Sequence, residues 1–267
     1  MLELLRPAAR RVAPLRWLYR KYRGALTATP RKAQRDVPLR LNFGCGYDKR
    51  AGYLNVDIKP ECQPDLLVKD GDTSAIPHDY FEEVYANDVL EHVPRTQTLS
   101  VLLDWASWLK IGGTLRCQTT SMIDLADLLR RGTTFEIHHG LTKCMFGNQV
   151  HEGDFHYTGF TEITLRGHLL AAELDVKDIV LREGWLFGVT AIKNRAWDGY
   201  IPALAGQSDE AFVRETFRRG VDEEPSLAAL TSYVGRLEAQ SATRWQIAKE
   251  VFQSEHRLAV TAVRHLR

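Results

Sequence analysis

Apolar residues in this chain fall into short runs, divided by longer stretches with helical spacing. Runs bounded by turn residues predict strands at 39–43, 53–58, 65–69, 82–87 and 114–119. Leu99, Leu102, Leu103, Ala106 and Leu109 share one face of a helix over about 96–110, ended by Gly112-Gly113. Ser121-Met122-Ile123-Asp124 reads as a capping-box start for a helix that Gly132 stops. A further helix at about 161–174 leads into two strands, 176–182 and 185–193. A short turn joins these two, so they pair antiparallel. The alternating order predicts an α/β fold: a mostly parallel seven-stranded sheet, antiparallel at its last strand and covered by helices on both faces.

Three segments break this rhythm. Residues 133–160 are long, aromatic and His-rich without a clear period, as expected of a lid or binding loop. From about 205 the pattern is helical only. Phe212, Val213 and Phe217 lie on one face before Gly220, and further helices follow Pro225-Ser226 and Ser241. Residues 1–37 interleave leucines, Trp17, Tyr19 and Tyr22 with arginines, and Pro7 and Pro14 confine any helix to short pieces. The expected organisation is a basic arm (1–37), an α/β domain (38–198, with a lid at 133–160) and a small helical module (205–267).

Charge sharpens this division. Residues 1–40 hold eleven Lys and Arg against Glu3 and Asp36, a surplus of nine in a chain of net charge +1. The body is therefore mildly acidic, which disfavours nucleic acid as its partner. The arm suits a peripheral anchor on anionic lipid, with a packing arm or mobile tail as the plainer alternative. Cys45, Cys62, Cys117 and Cys144 have no C-x-x-C spacing, so no zinc site or redox pair is expected, and a reducing, cytoplasmic setting fits. No stretch approaches the ~20 apolar residues of a membrane span, and no signal-peptide core is expected at the N-terminus.

Candidate chemistry begins at Leu41-Asn42-Phe43-Gly44-Cys45-Gly46, a strand running into a tight Gly turn. Such a turn brings backbone close to a ligand, and its N–H groups suit a carboxylate or phosphate. Asp57, closing the next strand, can accept two ribose hydroxyls, or it is only a turn residue. The dinucleotide fingerprint is absent, because Lys49 stands where the third glycine belongs.

Residues 38–195 resemble the class I S-adenosylmethionine-dependent methyltransferases, which have a Rossmann-like sheet. The likeness rests on the Gly44-Cys45-Gly46 turn, Gly52 to Ile58 with its acid, Phe81 to Val93 with Leu90-Glu91-His92-Val93, and Leu109 to Leu115. The compact first loop and Tyr157-Thr158-Gly159-Phe160-Thr161 are similar to a bacterial subgroup associated with cell-surface polysaccharide synthesis. Ile111, Glu83 and Glu173-Leu174 depart from the pattern without removing a cofactor contact. Phe212, Phe217, Tyr233 to Leu237 and Ser254 to Arg257 resemble phycobilisome-linker-like helical domains; that family's usual L-G-R-x-x-D is missing, and the likeness implies packing or protein contact.

The resemblance implies S-adenosyl-L-methionine as cofactor. Gly44, Cys45 and Gly46 would hold the methionyl part and Asp57 the ribose. Asp72 (or Asp70) would meet the adenine amino group, unless Asp72 only caps Thr73-Ser74, and Asn87 would lie beside the methionine. The expected reaction is O-methylation of a sugar or glycan intermediate, aided by a base that takes the hydroxyl proton. His156 is the preferred base and His139 the second, against the reading that these histidines only pack the lid. A metal held by His151, Asp154 and His156 ranks below that role. Glu91 and His92 read as capping and packing residues, and Trp105 and Trp108 as core. A phenol, amine or carboxylate acceptor is the alternative within the same class, and a non-catalytic scaffold the alternative outside it.

Overall fold

The structure, a computed structural model, describes residues 37–265, and of Asp70, Glu152 and His265 the backbone alone. The expected basic arm, its lipid-anchor reading included, lies outside the described residues up to Val37.

Seven strands form one sheet in the order β3-β2-β1-β4-β5-β7-β6. They are β1 (Arg40–Phe43), β2 (Leu54–Asp57), β3 (Leu66–Leu67), β4 (Phe81–Asn87), β5 (Leu109–Thr120), β6 (Leu174–Arg182) and β7 (Leu186–Lys193). The first five run parallel, and β7 is antiparallel to both β5 and β6. After β3 the chain crosses to the other side of β1, so the strand order reverses between β1 and β4, and the carboxyl ends of these strands open a crevice there.

Four helices fill the interval from β4 to β6: α1 (Thr98–Trp108), α2 (Met122–Arg131), α3 (Phe135–Phe146) and α4 (Glu162–Ala171). The caps follow the sequence. Ser121 Oγ accepts the Asp124 N–H and Gly132 ends α2, while Thr161 and Thr164 form a reciprocal capping box on α4. Helix α3 lies inside the stretch expected to be irregular. Thr134 caps it, none of its residues is fully buried, and its half-buried stripe of Leu141, Cys144 and Met145 is too short to mark a helix in the sequence. Gly112-Gly113 falls inside β5, because α1 stops at Trp108 and the strand starts at once, with a bulge opposite Phe81 and Glu83.

The two faces of the sheet differ in how fully the described residues cover them. One row across the sheet reads Leu54, Leu41, Val84, Leu115, Ala191, and it joins the hydrophobic core under the helices. The next row, pointing the other way, reads Asn55, Asn42, Tyr85, Arg116, Thr190. Arg116 sits in an inner strand, yet 52% of its side chain is exposed, so no helix of the described residues lies over it. The ten residues linking β1 to β2 hold no helix. Buried amides tie that link instead: Asn42 Nδ2 donates to Asn55 Oδ1 (3.0 Å) and to the Asp48 carbonyl (2.8 Å), and Asn55 Nδ2 donates to Asp65 (2.8 Å).

The C-terminal residues form α5 (Asp209–Val221), α6 (Leu227–Glu238), α7 (Arg244–Phe252) and α8 (Glu255–His265). Phe212, Val213, Ile247 and Phe252 share one hydrophobic cluster with Leu41, Val84 and Leu115 of the sheet. Buried Lys249 on α7 pairs with Asp104 on α1. Arg257 on α8, 5% exposed, donates to the carbonyls of Ala171, Arg219 and Gly220 and to the Glu173 carboxylate.

Candidate functional site

A cavity of about 810 Å³ lies at the carboxyl ends of β1 and β2. Its rim includes Gly44, Gly46, Asp57, Gly71, Asp88 and His92, and its apolar wall Phe43, Val101, Trp105 and Trp108. The Gly turn works differently from the expected nest of free N–H groups. Gly44 and Cys45 N–H both donate to the Val56 carbonyl (2.8 and 3.0 Å), and Gly46 N–H donates to Asp57 Oδ2 at 2.7 Å. Gly44 (φ +69°) and Gly46 (φ +49°) are needed for the turn itself. At Gly44 a Cβ would also lie 2.5 Å from Val89 Cγ2. The opposite oxygen of Asp57 accepts Lys59 N–H at 2.8 Å. Each carboxylate oxygen thus holds one backbone donor and has capacity for one more on the cavity side, which matches two vicinal hydroxyls.

Cys45 is buried, outside the cavity lining, with its thiol pushed up to about 11 chiefly by desolvation. Asp72 is exposed and accepts Ser74 N–H at 2.9 Å, while its neighbours Gly71 and Thr73 reach the cavity. This is the capping arrangement weighed against an adenine contact. Asn87 is half-buried, donates to the Tyr85 hydroxyl and lies outside the lining. The next residue, Asp88, faces the cavity at φ +52°. Asp tolerates that left-handed conformation, but nothing in the Asn87-Asp88 pair marks which of the two turns inward.

The insertion after α3 is laced to the loop after β4. Tyr157 and Thr158 N–H both donate to the Glu91 carbonyl (2.7 and 3.1 Å), and Thr158 Oγ1 donates to the Val93 carbonyl (2.6 Å). Lys59 Nζ donates to His151 Nε2 at 3.0 Å, joining the insertion to the far side of the cavity. A second cavity of about 370 Å³ opens beside the lacing, lined by Glu91, Gln118, Asn148, His156, Glu183 and Trp185 among others. Asp88 borders both cavities.

The lid histidines separate. His139 lies exposed on α3, stacked on Phe135 (ring centroids 5.4 Å), and touches neither cavity. His151 lines the first cavity and His156 the second, so the two are not brought together around one ion. His156 packs edge-on against His92, with centroids 4.7 Å apart and planes at 82°. Burial lowers the pKa of both rings, and for His92 the neighbouring His156 adds to the shift. Both are therefore neutral near pH 7. Glu91, 1% exposed, is pushed up to about 8 by burial, and its carboxyl accepts from Thr119 Oγ1 at 2.9 Å.

No protein-family model matches the chain, and comparison with curated proteins gives no match. Among the described residues, no helix is long and apolar enough to cross a membrane. Solved structures with a similar sheet include a S-adenosylmethionine-dependent methyltransferase from Methanosarcina mazei (20% identity, 58% of this chain and 91% of that one, TM-score 0.41). Another is the 1,6-didemethyltoxoflavin-N1-methyltransferase of Burkholderia thailandensis with bound S-adenosylhomocysteine (17% identity, 58% and 71%, TM-score 0.40). A protein from Bordetella parapertussis is matched over 58% of this chain and 61% of its own length, at 14% identity and TM-score 0.41. At these identities and scores, function has to be argued from this chain's own site.

Proposed function

We propose that the chain binds S-adenosylmethionine in the larger cavity and transfers its methyl group to a hydroxyl of a sugar or glycan intermediate held in the smaller one. The observation that carries this reading is the junction: Asp88 borders both cavities, and His92 of one touches His156 of the other. Bound there, the cofactor supplies a methyl group already activated on a sulfonium. The chain has then mainly to align the acceptor and take its proton. In this proposal Asp57 accepts the ribose hydroxyls with the capacity its two backbone donors leave, and the Gly44–Gly46 turn allows close backbone approach. Gln118, Asn148 and Glu183 offer hydrogen-bonding partners for a polyhydroxylated acceptor, and Trp185 an apolar ring face beside them. The base belongs to the histidine pair, of which His156 is the member supplied by the lid. The C-terminal helices serve in this reading as packing for the sheet and α1.

Calorimetry with S-adenosylhomocysteine tests the cofactor. Asp57→Asn cannot accept from both Gly46 and Lys59 N–H while receiving two hydroxyls, so its affinity should fall about 10- to 100-fold, the loss of roughly one charge-assisted hydrogen bond. Absence of binding to the natural protein, or unchanged binding in Asp57→Asn, would overturn the proposal. Labelled methyl transfer, measured over activated sugars, glycolipids and phenols, tests the acceptor. Transfer confined to phenols would refute the sugar half.

A further inference from the structure

His92 reads from sequence as a packing residue, but its surroundings give it chemistry. His92 Nδ1 lies 3.1 Å from the Phe155 carbonyl, and His156 Nδ1 lies 3.0 Å from the Cys144 carbonyl. A carbonyl only accepts, so in each neutral ring Nδ1 carries the proton and Nε2 keeps its lone pair. The two rings are thus held in the tautomer a base requires. They differ in which space they reach. His92 borders the larger cavity with Gly44, Asp57 and Asp88, whereas His156 borders only the smaller one. The methyl donor of the proposed reaction sits in the larger cavity. An acceptor hydroxyl entering past Asp88 therefore meets the ring of His92 on the donor side.

We propose that His92 is the catalytic base and that His156, packed edge-on against it, is a positioning residue. This rests on the methyl-transfer reading and names the group that completes it. As the methyl carbon bonds to the acceptor oxygen, the carbon–sulfur bond breaks with its electron pair left on sulfur. The hydroxyl proton passes to His92 Nε2 and afterwards leaves to water. The charged groups around the ring are Asp88 after β4 and Asp154 in the insertion, with His156 opposite and Glu91 adjacent in the chain. The two aspartates favour the transient imidazolium, and desolvation keeps the resting ring neutral.

Four measurements separate this assignment from a structural role. In the free protein, nitrogen-detected NMR should show His92 as the Nδ1–H tautomer, titrating below the usual histidine range. His92→Asn keeps an N–H for the Phe155 carbonyl and lacks Nε2; it should bind S-adenosylhomocysteine within about 2-fold of the natural protein and lose about 100-fold or more in kcat. His156→Phe keeps a ring against His92 and should lose less than about 10-fold. The acidic limb of the kcat profile should persist in His156→Phe and vanish in His92→Asn. An active His92→Asn, a Nε2–H tautomer, or an acidic limb that follows His156 instead would overturn the assignment. Loss of S-adenosylhomocysteine binding by the natural protein would instead overturn the methyl-transfer reading.

Discussion

Replacing Arg257 tests whether the C-terminal helices stand or fall with the sheet. Its guanidinium joins three elements. Nε donates to the Ala171 carbonyl at the end of α4 (3.2 Å), and Nη1 donates to the Arg219 and Gly220 carbonyls near the end of α5 (3.2 and 3.3 Å). Nη2 binds Glu173, which is also held by Arg195 at 2.7 Å. These carbonyls belong to the last turns of their helices, where no intrahelical donor reaches them. Arg257→Met preserves the stem but leaves three carbonyls without that donor and Glu173 with one cation fewer. Breaking one side of a buried charged network costs about 3–5 kcal/mol, less what water recovers at half-buried Glu173. At roughly 2–4 °C per kcal/mol for a chain of this size, the melting temperature should drop by about 10 °C. Urea unfolding followed by tryptophan fluorescence, together with a calorimetric melt, should show one transition shifted as a whole. Arg257→Lys keeps the charge but has no planar fork, so it should recover only part of the loss. A loss below about 1 kcal/mol, or a melt that splits while the sheet's transition stays in place, would refute the shared-core account.

Glu91 gives a pH signature. Its folded pKa of about 8 lies above the ordinary carboxyl value, so the native state holds a proton that the unfolded chain has lost. The contribution is full below about pH 4.5 and disappears as pH rises to about 8. Glu91→Gln keeps the acceptor for Thr119, so stability measured from pH 5 to 8 should fall in the natural protein and flatten in the variant. Parallel slopes would be the contrary result. The glycine turn offers a paired comparison. Gly44→Ala faces both the positive φ and Val89, and should cost about 2–4 kcal/mol. Gly46→Ala meets nothing within 4 Å and should cost about 1 kcal/mol. Equal urea midpoints would show that Val89 yields freely.

The sheet was legible because its signals are local. Strand runs, the Ser121 cap and the tight turn before β7 each depend on a few adjacent residues, and each lies at or near the place the pattern predicts. The position of Asp57 against the Gly turn was legible for the same reason, since a strand-closing acid beside such a turn is defined by its neighbours. Features fixed by distant contacts were not. The gap in the described cover over Arg116 depends on which crossovers carry helices, and β1–β2 carries none. Helix α3 half-buries only Leu141, Cys144 and Met145. Asp88 turns inward and Asn87 does not, through a backbone torsion that either residue tolerates. Among the lid histidines, His139 and His156 are alike in sequence, and only the lacing of residues 155–158 to Glu91 and Val93 brings His156 to the junction.

The exposed patch of the sheet at Arg116 makes a good place for a reporter. Three of the native thiols, Cys45, Cys62 and Cys117, are buried, and burial raises the pKa of each, so they react slowly with alkylating dyes. A cysteine introduced at Arg116 would stand in the open, two strands from Asn42 and on the opposite side from the core. A fluorophore there would follow ligand-induced changes in sheet twist, since neither helix packing nor the cavity walls would be disturbed by its attachment.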